Sequence, residues 1–156
     1  GPEQGAEALG WLVDRVLTAL AATGLGVSGR ALALSADYTT HREQFGRPIA
    51  TFQAVGHRLA DAYIDVEGIR LTTLRAVWLL GSDLPGSDEA RIAKWWSAEG
   101  GHRVAHAAQH VHGGVGIDLD YVLHRYFTWS KQLEFTLGTA QQQLLSLGAT
   151  LAAEPV

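Results

Sequence analysis

The 156-residue chain contains no cysteine. That absence removes disulfides, thiolate metal sites and thiol nucleophiles together. It fits a reducing compartment, so a cytoplasmic location is expected. No run of about 18 uncharged apolar residues occurs, so no transmembrane helix is expected. No signal-peptide pattern is visible either. A basic excess is also missing: 12 Lys and Arg stand against 16 Asp and Glu, a net charge of −4 with His neutral. With no surplus to neutralise phosphates, nucleic acid is not an expected partner. Nor does the chain hold an alternating strand pattern, an internal repeat or a low-complexity tract.

What is present is helical. Apolar residues make up 47% and charged residues 18%, a globular composition with room for one core. Residues 1–156 are read as one domain, with Gly1-Pro2 set aside as a tag remnant. Leu9, Leu12, Val13, Val16, Leu17 and Leu20 recur at helical spacing, and the pattern runs to about Thr40. Gly24, Gly26 and Gly29 inside it each cost about 1 kcal/mol against Ala, so a closely approaching neighbour, or a break near Gly24, is expected. A polar connector, residues 41–50, follows. A second helix from about Phe52 to Leu80 carries Val55, Leu59, Tyr63, Val66, Ile69 and Val77 as its buried stripe, with Arg58, Asp61 and Asp65 solvated. Ser87 is the expected N-cap of a third helix, with Asp88 and Glu89 favourable in its first turn. Its apolar face is Ile92, Trp96, Val104, Ala108 and Val111, and Gly113–Gly116 stops it. A shorter helix covers Leu123 to Phe135. Thr139 and Gln142 form a capping box for the last helix, whose core face is Ala140, Leu144, Leu147 and Leu151. The fold class is all-α: an up-and-down four-helix bundle with one additional short helix.

Several clusters have a chemical and a plainer reading. His102, His106 and His110 recur every four residues and share one helix face, as zinc ligands can. No cysteine or clear carboxylate completes a first shell, so a polar helix face is preferred and no metal site is assigned. Asp118 and Asp120 are read as solvated or capping residues. Gly113, Gly114 and Gly116 can form a backbone nest for an anion or simply end a helix. Arg42 can hold a phosphate by paired hydrogen bonds, and Phe45 can stack on a base. Gly138 and Thr139 present amides at a helix start.

Taken in order and spacing, these segments resemble the C-terminal domain of the acyl-CoA dehydrogenases. The matching text is Tyr38-Thr39-Thr40-His41-Arg42-Glu43-Gln44-Phe45-Gly46-Arg47-Pro48-Ile49, Phe52-Gln53-Ala54-Val55 and His57-Arg58-Leu59-Ala60-Asp61, then His112-Gly113-Gly114-Val115-Gly116, Leu123-His124-Arg125, Lys131, and Gly138-Thr139-Ala140-Gln141. It runs from about Leu12 to Leu151. The family adds an N-terminal helical domain and a middle β-domain, neither of which is in this sequence. The resemblance implies FAD as cofactor, α,β-desaturation of acyl-CoA thioesters, reoxidation by an electron-transferring flavoprotein, and assembly as a homo-oligomer or with a related subunit. Association is expected through the last helix and its neighbours. Carried over by position, the cofactor-binding residues are Arg42, Gln44, Phe45, His110, Gly113, Gly114, Thr139 and Gln141. His110 stands where the family usually has Gln, with Gln109 one place early.

The resemblance also locates the base that removes the substrate α proton. In many members a glutamate immediately precedes the Gly-Thr pair; here that residue is Leu137, which cannot accept a proton. The alternative location falls near Val16 and Leu17, where Asp14 is the only nearby acid. Glu134 is a turn away from Leu137. The expectation is a chain with no catalytic carboxylate, a non-catalytic subunit that alone binds FAD weakly or not at all. The other reading is an assembly module that pairs with a catalytic chain and binds no FAD.

Overall fold

A computed structural model describes residues 1–153; the last three residues of the expected domain lie outside the described residues. Helix α1 (Pro2–His41) leads into a hairpin of β1 (Glu43–Gln44) and β2 (Arg47–Pro48). A 3-10 turn (Ile49–Thr51) and α2 (Gln53–Gly81) follow. Then come α3 (Ser87–His112), a second 3-10 turn (Gly113–Ile117), α4 (Leu123–Phe135) and α5 (Ala140–Ala153). The all-α expectation holds. The two-residue hairpin inside the connector was not foreseen.

Helix α3 is the hub and packs against all four other helices. Its small residues allow this. Ala93 meets Ala21 and Ala76 in one cluster, while Val104, Ala107 and Ala108 join Ala31, Ala62, Val66 and Leu123 in another. At Gly24 a Cβ would lie 2.0 Å from Ser97 Oγ and 3.2 Å from Ser97 Cβ. The glycine is therefore matched by a close neighbour, and α1 runs through it unbroken. Gly26 and Gly29 face open space.

Other expectations need correction. Helix α1 starts at Pro2, not near Leu9, and Leu9 and Leu12 are exposed. Its inner face is Asp14, Leu17, Ala21, Gly24, Val27, Ala31 and Ser35. Tyr63 and Val77 of α2 point outward, and Ala62, Val66, Ile69, Thr73, Ala76 and Leu79 point in. Val66 and Ile69 lie inside as expected; Tyr63 and Val77 do not, because small and polar residues, not the largest apolar ones, take the remaining places in the crowded interior. Asp65, expected in water, is buried because Arg103 chelates it, Nε to Oδ2 at 2.9 Å and Nη2 to Oδ1 at 2.5 Å. Ser87 does not cap α3. It is the first helical residue, and its hydroxyl donates to the Asp14 carboxylate. Within α5 only Gln143 is buried, and Leu144 and Leu151 are exposed. By length and composition α1 is apolar enough to cross a membrane. Its inner face is spent on α2, α3 and α4.

Candidate functional site

At one end of the bundle the chain leaves α1 and turns back into α2. The Arg42 amide donates to the Tyr38 carbonyl at 2.8 Å, and the Arg42 carbonyl accepts from the Ile49 amide at 2.8 Å. These bonds pin both feet of the hairpin. Its tip has φ +55° at Phe45 and +77° at Gly46, the paired positive values of a tight two-residue hairpin turn. Glycine adopts this freely, but phenylalanine pays for it, a strain of about 1–3 kcal/mol. The turn holds Phe45 92% exposed, edge-on to Phe52 at 6.1 Å. The Arg47 guanidinium covers the Phe52 ring at 4.1 Å. Gln44, Phe45, Phe52, Val55, Arg58 and His110 line a cleft of about 290 Å³.

The end of α3 forms the adjoining wall. His112 is buried; its Nδ1 lies 2.8 Å from the Ala108 carbonyl and its Nε2 3.2 Å from the Tyr121 hydroxyl. A carbonyl only accepts, so Nδ1 carries the proton and Nε2 accepts from Tyr121. The ring stacks on Tyr38 at 4.3 Å, joining the ends of α1 and α3. Burial lowers its pKa, against the opposing Ala108 hydrogen bond. Gly113 then takes φ +62°, ψ −138°, a region essentially reserved for glycine. A Cβ at Gly113 or Gly114 would meet nothing within 4 Å, so their backbone is open to a ligand. Gln109 donates to the Gly113 carbonyl at 3.1 Å and packs on Gly116. The glycine turn therefore occupies Gln109, and His110 is the residue that faces the cleft.

Thr139 and Gln141 are placed elsewhere. Helix α4 runs back along α3, so the α4–α5 turn lies beside Lys94 rather than His110. At about 1.5 Å per residue, Lys94 to His110 spans about 24 Å. Within one chain the expected cofactor residues thus form two groups. The Thr139 amide donates to Gln142 Oε1 at 2.8 Å, and the Gln142 amide donates to Thr139 Oγ1 at 3.3 Å, the expected capping box. Gln141 is exposed. Leu137 sits at φ +54° and Gly138 at φ +103°, and the Leu137 carbonyl accepts from Gln143 Nε2 at 3.0 Å.

Both acids near the expected base positions are engaged. Asp14 accepts from Ser87 and lies 3.7 Å from Arg91 Nη1. Glu134 Oε2 accepts from Lys131 Nζ at 2.9 Å and lies 3.1 Å from His102 Nδ1. Burial raises the Glu134 carboxyl, but the bonds from Lys131 and His102 outweigh it and hold its pKa below the usual range. His102 lies 4.4 Å from His106, whose ring meets Phe127 edge-on. Among the described residues no three His, Asp or Glu side chains converge on a metal position. Asp118 accepts from the Asp120 amide at 3.0 Å, a turn contact.

Sequence reasoning missed Lys94, which is wholly buried. Its Nζ donates to the Leu133 and Glu134 carbonyls at 3.0 and 3.3 Å, the end of α4. A cation there satisfies orphan carbonyls and opposes the helix dipole. Burial pushes its pKa down to about 8, although the Glu134 charge works the other way. The signal available in the sequence was a lysine directly after Ala93, on the face shared by Ala90 and Ala98.

A long-helix bundle with a hairpin-bounded cleft at one end and a capped Gly-Thr turn beside α3 defines a class. The chain belongs to the acyl-CoA dehydrogenase family: residues 4–152 match the model described as acyl-CoA dehydrogenase, C-terminal domain. It is 47% identical over 159 residues to acyl-CoA dehydrogenase FadE27 of Mycobacterium tuberculosis, covering 97% of this chain and 43% of the relative. It is also similar to a chain of the ChsE4-ChsE5 complex of Mycobacterium tuberculosis, with 51% identity, TM-score 0.91, and 94% and 40% of the two chains covered. A variant of the Tcur3481-Tcur3483 steroid ACAD matches with 50% identity, TM-score 0.90, and 93% and 40% covered. The chain thus spans about two fifths of the length of these relatives.

Proposed function

We propose that this chain is the FAD-facing and assembly domain of an acyl-CoA dehydrogenase-type flavoprotein subunit that supplies no catalytic base. The observation that carries the cofactor reading is the strained, outward Phe45 in a cleft with Gln44 and His110, beside the open backbone of Gly113 and Gly114. Strain of this kind is retained where function needs it. Arg42 brings a guanidinium suited to a diphosphate, Phe45 an aromatic face for a base, and the glycines room for close backbone approach. Bound FAD would supply the hydride acceptor for oxidation of an acyl-CoA thioester. Thr139 and Gln141, on the other side of the bundle, are assigned to a second cofactor contact, so that one FAD is bounded by two chains.

The non-catalytic reading is supported by Leu137 at the turn and by the pairing of Asp14 and Glu134 with cations and hydroxyls. A related chain then provides the base. The named pairs among the relatives, ChsE4 with ChsE5 and Tcur3481 with Tcur3483, suggest a mixed assembly. The steroid description of one of them suggests a steroid-type acyl group. The test is flavin retention by the full-length parent with its partner chain, compared with Arg42→Ala and Phe45→Ala. Loss of flavin from both variants is the expected result. Unchanged flavin content in both refutes the cofactor reading, and a colourless wild-type complex favours the pure assembly module.

A further inference from the structure

The segments of the candidate cofactor site come from two helix ends. Arg42, Gln44 and Phe45 follow α1, while His110, Gly113 and Gly114 lie at the end of α3. One ligand can touch both only if their spacing is fixed, because a binding constellation must be held to within about 0.5 Å. A strut of aromatic rings spans the gap. Tyr38, in the last turn of α1, lays its ring on His112, the last residue of α3, with centroids 4.3 Å and planes 24° apart. The Tyr121 ring completes a trio, 5.3 Å from His112 and 6.3 Å from Tyr38. His112 is buried and held at both ring nitrogens: Nδ1 donates to the Ala108 carbonyl at 2.8 Å, and Nε2 accepts from the Tyr121 hydroxyl at 3.2 Å. None of the three rings lines the cleft itself.

We propose that Tyr38 and His112 are positioning residues: their stack sets the spacing between the Arg42–Phe45 hairpin and the Gly113–Gly114 turn, and through it how tightly FAD is held. The inference rests on the cofactor reading and adds to it two residues that touch no cofactor. Both ends of the strut are tied directly to the site. On the α3 side Gly113, with φ +62°, is the next residue after His112. On the α1 side the Tyr38 carbonyl accepts from the Arg42 amide at 2.8 Å, the bond that starts the hairpin. A shift of one ring against the other therefore moves one half of the site against the other half. The choice of side chains fits this role better than space filling. Two aliphatic residues would fill the same volume, but they would leave orientation free. An imidazole satisfied at both nitrogens has one orientation, and a fully satisfied buried polar network rigidifies its surroundings. Stacking then transfers that orientation to Tyr38, since offset ring pairs have a preferred geometry.

The experiment is titration of FAD into the flavin-stripped full-length parent with its partner chain, read by flavin fluorescence. The variants are Tyr38→Leu, His112→Leu, the double variant, Tyr38→Phe and Arg42→Ala, each first checked for an unchanged far-ultraviolet spectrum. Tyr38→Leu and His112→Leu should each weaken FAD binding about tenfold, or about 1.4 kcal/mol. The double variant should bind no more weakly than either single one, because the strut is already broken; contacting residues are non-additive in this way. Tyr38→Phe keeps the stacked ring and should bind as the wild type does. Tyr38 is only half-buried, so the Tyr38→Leu and Tyr38→Phe pair carries the test if His112→Leu does not fold. Wild-type affinity in Tyr38→Leu, with weakened binding in Arg42→Ala, overturns the strut and leaves the cofactor reading standing. Additive losses in the double variant, or equal losses in Tyr38→Leu and Tyr38→Phe, also overturn it. Unchanged affinity in Arg42→Ala and Tyr38→Leu together overturns both the cofactor reading and the strut.

Discussion

Lys94 makes the energetics of the bundle visible through pH. Its side chain is wholly buried and its ammonium is held by two carbonyls at the end of α4. Folding lowers its pKa from 10.5 to about 8. Below pH 8 the folded and unfolded chains both carry the proton, and the folded chain bears the full cost of a buried charge. Between pH 8 and 10.5 the folded chain has released a proton that the unfolded chain still holds. The unfolded state then binds more protons, so stability rises with pH across that window. A shift of this size is worth about 3 kcal/mol at about 1.36 kcal/mol per pKa unit. In Lys94→Met this contribution is absent, and Glu134, whose charge acts on Lys94, stays ionised across the whole window. The stability of the wild type relative to Lys94→Met should therefore climb by about 3 kcal/mol between pH 7 and 10.5. With a urea slope of about 2 kcal/mol per molar, that is a relative midpoint change of about 1.5 M. Tryptophan fluorescence reports it, since the chain has five tryptophans. Parallel curves for the two proteins, or a gap that narrows with rising pH, would refute the assignment of a protonated, buried Lys94.

Four further outcomes follow from the packing and charge arrangement. Gly68→Ala places a Cβ 2.6 Å from the Trp96 ring and should cost about 1–3 kcal/mol by overpacking, with a change in tryptophan emission. Gly26→Ala meets nothing within 4 Å and should gain up to about 1 kcal/mol of helix propensity; equal effects at the two sites would contradict the packing. Gly113→Ala forces a Cβ into φ +62°, ψ −138° and should cost about 1–3 kcal/mol, read as a drop in Tm; an unchanged Tm would count against that backbone. Glu134 has a lowered pKa, so its contribution is present above the ordinary carboxylate value and is lost as pH falls through the folded value. Glu134→Gln should make the acid limb of the stability profile shallower, and an unaltered limb would deny the pairing with Lys131 and His102.

Helix existence was legible because the apolar period is strong, and the capping box at Thr139 and Gln142 because it is local chemistry. Facing was less legible. Leu9, Leu12, Tyr63, Val77, Leu144 and Leu151 look like core residues and are exposed, because α1, α2 and α5 all carry apolar surface away from the bundle. Their places inside are taken by Ala21, Ala76, Ala93 and Gly24, which allow helices to touch. Asp65 and Lys94 could not be placed from spacing, since each is buried only because a partner on another helix, Arg103 or the end of α4, receives it. At the candidate site the hairpin strain at Phe45 depends on φ, which no sequence displays. The one-place offset of Gln109 and His110 was visible, but which of them faces the cleft was decided by the Gly113–Gly116 turn.

We propose that this domain faces a flavin in an acyl-CoA dehydrogenase-type assembly and brings no base to it. The most direct test is steady-state acyl-CoA oxidation by the full-length parent, alone and with its partner chain. The account predicts no turnover by the parent alone, turnover on mixing, and no change when Asp14→Asn or Glu134→Gln is introduced into a properly folded parent. Robust oxidation by the parent alone, abolished by either substitution, would contradict it.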